Sequence, residues 1–281
     1  MIGRITSSTM TQQSLRTLQT NLADRERLQN QAASQRAFRS PSEDPAAAAT
    51  TLGVHGEQAR VAQFARNLSD GMAWVTTVDT ALVTSCDVRS DDDIARVFGE
   101  VSTAFGGELD ILVHSVAFAA AEDLEGRFTD TPRDRFWLAV DVSAYSLVAC
   151  TRAAEPLMEK AGGGSVVTMT YLGGERAVPH YNVMGVAKAT LDSSVQYLAW
   201  DLGRKNIRVN AVSAGPVRTL AARSIAGFPT MEAIVEERAP LRRHIEADDV
   251  GAAAAYLLSD DAKNVSGTTL YVDSGYHAMG M

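Results

Sequence analysis

The chain has 281 residues, 46% of them hydrophobic and 21% charged, with a formal net charge of -8. That length and balance suit one large α/β domain, or a medium domain with an extension, and the acidic sign argues against nucleic acid as a partner, whose footprint is normally basic. No apolar run approaches the roughly 18 residues of a membrane span or forms a secretory signal core, and Cys86 and Cys150, without paired or CxxC spacing, read as buried free thiols of a reducing, cytoplasmic setting.

Residues 1–82 are helix-patterned. Leu15, Leu18 and Leu22 recur at i, i+3 and i+7, Val61, Phe64 and Leu68 repeat the spacing, and Met72 and Val75 continue the stripe. Between the stripes lies FRSPSEDP, whose two prolines stop one helix and whose Ser42, Glu43 and Asp44 can cap the next. The pattern predicts a helical hairpin with narrow apolar seams that need a partner helix. The opening MIGRITSSTMTQQSLRTLQTNLADRERLQNQAASQRAFRSPSEDPAAAA, with RSPSEDPAA at 39–47, and the later ARNLSDGMAWVTTVDTAL resemble the N-terminal segment of bacterial flagellins and hook-filament junction proteins. That resemblance implies coiling against a C-terminal helix, which the unrelated chain ending does not match, and a signal for flagellar export. It raises an alternative function, a structural or interaction protein carrying an inert second half.

After residue 82 the pattern changes to apolar strands alternating with helices. Strands are predicted at 82–88, 109–119, 165–170, 207–215 and 268–275, and helices at 90–106, 133–160, through Tyr181 and Lys188, and at 247–258, with a loop-helical stretch over 216–243. The alternation predicts an α/β fold, a Rossmann-like parallel sheet with helices on both faces, as a domain of residues 83–281 behind a helical domain of 1–82. Ligands of such sheets bind at the carboxyl ends of the strands. Four of those ends carry informative residues: Asp87, the stretch from His114 through Ser115, Val116, Ala117 and Phe118 to Ala119, Tyr171, and SAGPVRT at 213–219.

The densest stretch is SVVTMTYLGGERAVPHYNVMGVAKATL, residues 165–191. Tyr181, Met184 and Lys188 recur at i, i+3 and i+7, so they share one helix face. A lysine beside a phenol is expected to lower the phenol's pKa and ready it for a developing oxyanion. The same spacing also suits an ordinary amphipathic helix. Likewise Val88, Val116 and Val217 suit strand packing, and Asp87 and Thr219 suit a turn or cap.

The wording YLGGERAVPHYNVMGVAKATLD, VNAVSAGPVRTLAA, VHSVAFA and VDSGYHAMGM resembles the short-chain dehydrogenase/reductase superfamily and, within it, the enoyl-acyl-carrier-protein reductases of fatty-acid synthesis. The superfamily's usual Tyr and Lys are four apart. Here Met184 holds that tyrosine position, Tyr181 lies seven before Lys188, and Tyr171 stands where a serine is usual, which is the enoyl-reductase pattern. The resemblance implies that Tyr181 hydrogen-bonds the thioester carbonyl and that Lys188 holds the nicotinamide ribose. It places Tyr171, Tyr181, Met184 and Phe118 around the substrate. Asp87, Val88, Ser115, Val116, Ala117, Lys188, Val217 and Thr219 would bind NADH, with NADPH not set apart from it, and the stretch 220–237 would close on an enoyl thioester of acyl-carrier protein or CoA. It also implies a homotetramer built through the long helices containing Cys150 and Lys188. Against that pattern, Gly3, Gly53, Gly56 and Gly71 are scattered through helix-patterned sequence, so no glycine-rich diphosphate turn is expected before Cys86. The strands at 82–88 and 110–116 are then expected to lack sheet neighbours.

Overall fold

In the computed structural model the chain divides into two units, Met1–Thr80 and Ala81–Met281. The structure describes residues 82–218 and 228–280, together with Arg25. The helical hairpin expected over 1–82, its flagellin-like motif and the expected lack of a glycine-rich turn before Cys86 concern residues that, apart from Arg25 and Leu82, lie outside this set.

The second unit opens with an irregular stretch and helix α1 (Asp91–Ala104), then strand β1 (Ile111–His114) and a single turn, α2 (Ala121–Leu124). Ser90 caps α1 by accepting from the Asp93 N–H, and Asp91, Asp92 and Asp93 place negative charge at the positive end of the helix. Helix α3 (Arg133–Val140) runs through a π-helical turn (Asp141–Tyr145) into α4 (Ser146–Lys160). Strand β2 (Gly164–Thr170), helix α5 (Asn182–Leu202), strand β3 (Ile207–Ala214), helices α6 (Phe228–Arg238) and α7 (Ala247–Leu258), and strand β4 (Thr269–Val272) complete it.

The sheet has the order β1-β2-β3-β4 and every pairing is parallel, with Val113 opposite Val167, Val167 opposite Asn210, and Val212 opposite Leu270. Side chains alternate across it. Val166, Val209 and Ala211 pack with Leu147, Met158, Leu191 and Val195 of α4 and α5, while Val167 and Val212 pack with Ala254 and Leu257 of α7. Helices therefore cover both faces, as the unbroken apolar strands require. The parallel pairing sets the ends of all four strands, His114, Thr170, Ala214 and Val272, along one edge.

One strand expectation fails. Residues 82–87 have no regular secondary structure and Val88 begins a turn; the Arg96 guanidinium of α1 holds the stretch instead, donating to the Thr84 hydroxyl at 3.0 Å and the Ser85 carbonyl at 2.6 Å. A strand needs a neighbour to pair its backbone groups, and among the described residues this stretch has none. Strand β1 ends the sheet, pairing only with β2 there, and Ile111 and Val113 are 46% and 49% exposed. Of the two thiols, both free, Cys150 is buried and Cys86 only partly so. They share a cluster with Ile94 and Ala149, and burial pushes the Cys150 thiol up to about 11.

Candidate active site

Strand β2 delivers the first tyrosine. Past Thr170 the chain stays extended at Tyr171 (φ -154°, ψ 149°) and closes into a 3-10 turn (Leu172–Gly174). The second tyrosine, Tyr181, is the N-cap of α5, one residue before the helix proper. Their rings meet edge to face, centroids 4.9 Å apart and planes at 72°, a favoured arrangement for aromatic quadrupoles. Gly173 makes that meeting possible, because a Cβ there would lie 2.5 Å from the Tyr181 ring and 3.1 Å from the Tyr171 ring. Helix α5 approaches the same turn through Gly185, where a Cβ would lie 2.7 Å from the Gly173 carbonyl oxygen.

Tyr181 is 8% exposed and packs with Leu124, Ala139, Val183, Met184 and Ala187, and Tyr171 packs against the same cluster. Met184 thus lies beside the tyrosines, as the helix spacing predicts. Neither phenol oxygen makes a hydrogen bond among the described residues. Lys188, 6% exposed, donates from Nζ to the Met169 carbonyl at 2.7 Å, just inside the end of β2.

The electrostatics correct the sequence reading. Lys188 was expected to lower the phenol's pKa, but burial dominates, and with Tyr171 and Asp192 nearby it raises the Tyr181 pKa well above the ordinary value. Burial likewise pushes Tyr171 up to about 12, helped by Tyr276 and Asp273. Lys188 itself is driven down to about 8 by burial, with the Asp192 carboxylate opposing the shift. The phenols are therefore protonated donors at neutral pH.

Asp192 was missed in the sequence, though it stands one helical turn beyond Lys188. Burial raises its carboxyl pKa, with the Thr170 hydroxyl and the Lys188 charge opposing the shift. His114, at the end of β1, is 3% exposed, with ring nitrogens 3.0 Å from the Thr168 hydroxyl and 2.8 Å from the Ser146 hydroxyl. Burial and the Lys188 charge push it down to about 4, so it is neutral.

The remaining candidates are spread along the strand-end edge. Ser115, Val116 and Ala117 follow β1 directly, with Ser115 and Ala117 exposed and Val116 half-buried. Phe118 is 40% exposed, and its N–H donates to the buried Ser143 hydroxyl at 2.9 Å. Val217, past β3, packs against Val235, Ala239 and Ile245. Asp87 and Val88 stand apart from the tyrosines. The Asp87 carboxylate is paired with Arg89 at 2.7 Å, which holds its pKa low, and Val88 packs in the cluster of Ile94 and Cys150. Thr219 and residues 220–227 lie outside the described residues.

A family model described as Enoyl-(Acyl carrier protein) reductase matches residues 45–277. The chain belongs to the enoyl-acyl-carrier-protein reductase family. A relative from Staphylococcus aureus (strain MRSA252), named as an NADPH enoyl-acyl-carrier-protein reductase FabI, is 52% identical over 193 residues, which is 69% of this chain and 74% of the relative. One from Nostoc sp., named as an NADH enoyl-acyl-carrier-protein reductase FabI, is 47% identical over 235 residues, or 84% and 89% of the two chains. Among solved structures, the Bacillus cereus enoyl-acyl carrier protein reductase with NADP+ and indole naphthyridinone superposes with a TM-score of 0.71 at 47% identity, covering 74% of this chain and 80% of that one.

An enoyl reductase of this family needs a nicotinamide cofactor, and the described residues fit its nicotinamide-ribose half. Lys188 uses one N–H on Met169 and keeps two for a ribose diol. The phenols of Tyr171 and Tyr181 are donors without a partner among the described residues, and the loop after β1 presents exposed Ser115 and Ala117 at the same edge.

Proposed function

We propose that the protein reduces the carbon–carbon double bond of enoyl thioesters carried on acyl-carrier protein or CoA, with NADH or NADPH as reductant. The observation that carries this reading is the edge-to-face pair of half-buried Tyr171 and buried Tyr181 at the strand-end edge, both phenols protonated and without a hydrogen-bond partner among the described residues, with buried Lys188 anchored to the end of β2. The bound cofactor supplies a hydride to the β-carbon. The chain's task is to stabilise the negative charge that then develops on the thioester oxygen.

Tyr181 suits that task because it keeps its proton. Its O–H donates to the carbonyl, and the bond strengthens as the oxygen gains charge in a site that burial has made poorly polarisable. Lys188, pinned to Met169, would hold the cofactor's ribose with its other N–H groups and so orient the nicotinamide against the substrate. Tyr171, packed in the cluster of Met184, would line the acyl site with Met184 and Phe118 and assist protonation of the product. Ser115, Val116, Ala117 and Val217 offer backbone to the cofactor, with Asp87, Val88 and Thr219 at its outer end.

We place the reductase domain at residues 83–281 behind a separate domain of 1–82; the division of the chain between Thr80 and Ala81 supports that boundary, while the family model reaches back to residue 45. A homotetramer through the long helices is supported by Tyr197 and Trp200, which stand 72% and 79% exposed, three apart on α5. Following NADH absorbance with crotonyl-CoA tests the activity. Consumption that depends on the thioester and falls about 100-fold or more in Tyr181→Phe supports it; a rate equal in both proteins sinks it.

A further inference from the structure

The turn that presents Tyr181 has left-handed backbone on both sides, with φ of 61° at His180 and 31° at Asn182. Neither residue is glycine, so side-chain sterics oppose both conformations. Asparagine is among the residues that tolerate this region best, but position 182 uses its amide as well. The Asn182 Nδ2 lies 3.4 Å from each of three carbonyl oxygens, those of Asp123, Glu125 and Gly126. These belong to the end of α2 and the residues after it, where a helix leaves carbonyls without internal partners.

The far side of that turn is anchored independently. The buried Asp123 carboxylate accepts from Arg135 of α3 at 2.8 Å, and Arg135 also bonds Glu122. Between the two anchors Leu124, 8% exposed, packs in the cluster of Tyr181 and Met184. Asn182 thus joins the start of the tyrosine helix to a fixed turn that itself touches the tyrosine.

We propose that Asn182 is a positioning residue for Tyr181: its amide clasps the carbonyls of the 123–126 turn, holds the left-handed backbone at 182, and so aims the preceding tyrosine at the substrate carbonyl. This rests on the role proposed above for Tyr181. Two functions of one side chain are separable by substitution. Asn182→Gly keeps the backbone conformation without strain and removes the clasp. Asn182→Asp keeps the shape but turns a carboxylate toward three carbonyl oxygens.

The full chain carries the test, with turnover of crotonyl-CoA and NADH, thermal unfolding, and the resonance of ζ-13C-labelled Tyr181 assigned by its loss in Tyr181→Phe. Asn182→Gly is expected to lower kcat about 10- to 100-fold with the KM for NADH within about twofold and a melting temperature near that of the parent. Asn182→Asp is expected to lower kcat further. In a Tyr181→Phe background Asn182→Gly should change kcat little, because the tyrosine through which it acts is gone. The Tyr181 resonance should shift in Asn182→Gly whether or not the protein turns over. Full kcat in Asn182→Gly, an equal loss in both backgrounds, or an unmoved Tyr181 resonance overturns the proposal. A parent rate unaffected by Tyr181→Phe instead overturns the catalytic role of the tyrosine, and the resonance alone then decides the positioning.

Discussion

The Lys188 ammonium is bonded to the Met169 carbonyl at 2.7 Å, inside the end of β2, while the phenol of Tyr181, the N-cap of the same helix, makes no hydrogen bond among the described residues. The bond to Met169 fixes the lysine to the sheet, and burial holds its pKa at about 8 against an ordinary 10.5. Between those values the unfolded chain binds the proton more tightly than the folded one, so this group makes stability rise with pH from about 8 upward. The rise is up to about 3 kcal/mol if the whole shift is realised. The raised phenols and thiols act in the opposite direction, chiefly above their ordinary values near 9 and 10. Denaturant unfolding at several pH values between 7 and 9.5, in the parent and in Lys188→Met, isolates the lysine. The stability difference between the two proteins should grow in the parent's favour as pH rises through about 8.

Asp192 opposes the depression of Lys188. Asp192→Asn removes that negative charge, so the lysine should lose its proton at lower pH. If the ammonium holds the cofactor ribose, the KM for NADH rises on the alkaline side in the parent and begins to rise at lower pH in Asp192→Asn. Matching pH profiles of KM in the two proteins would remove Asp192 from the site.

Gly173 leaves room for two rings at once. In Gly173→Ala the new methyl would lie 2.5 and 2.8 Å from Tyr181 ring atoms and 3.1 Å from one of Tyr171, so the tyrosines must move. Overpacking of this kind costs about 1–3 kcal/mol, and a displaced hydroxyl costs turnover. Calorimetry and crotonyl-CoA kinetics on Gly173→Ala should show a lowered melting temperature together with a reduced kcat.

His114 predicts the acid limb. Its folded pKa of about 4 lies below an ordinary 6.5, so the unfolded chain takes up the proton first as pH falls. Its contribution to stability is therefore complete above about pH 6.5 and is lost progressively toward pH 4. His114→Leu should be less stable at neutral pH, because the Ser146 and Thr168 hydroxyls lose their ring partner, yet its unfolding free energy should fall less steeply between pH 6.5 and 4. Parallel pH profiles would show that the histidine charges freely in the folded state.

Much of the fold is legible because its elements are set by local pattern. The helix from Ala247 to Leu258 and the strand through Val166 and Val167 follow from apolar periodicity and flanking turns. The stretch 82–88 reads as a strand on the same grounds and is not one, since β-structure depends on a neighbour that periodicity does not reveal. In the site, spacing places Tyr181 beside Met184 but gives the wrong sign for the phenol pKa, because spacing measures proximity and not burial. Asp192 carries the i+4 signal from Lys188. Asn182 carries none, since its role depends on a turn some 56 to 59 residues away in sequence.

The central claim is that the tyrosine and lysine cluster directs hydride to the β-carbon of an enoyl thioester. The most direct measurement follows the label from NADH deuterated at the transferable C4 position into the crotonyl-CoA product by mass spectrometry. The account predicts butyryl-CoA carrying a single deuterium at the β-carbon, formed by the parent and strongly diminished in Tyr181→Phe. Product without deuterium, deuterium at the α-carbon, or no difference between the two proteins would contradict it.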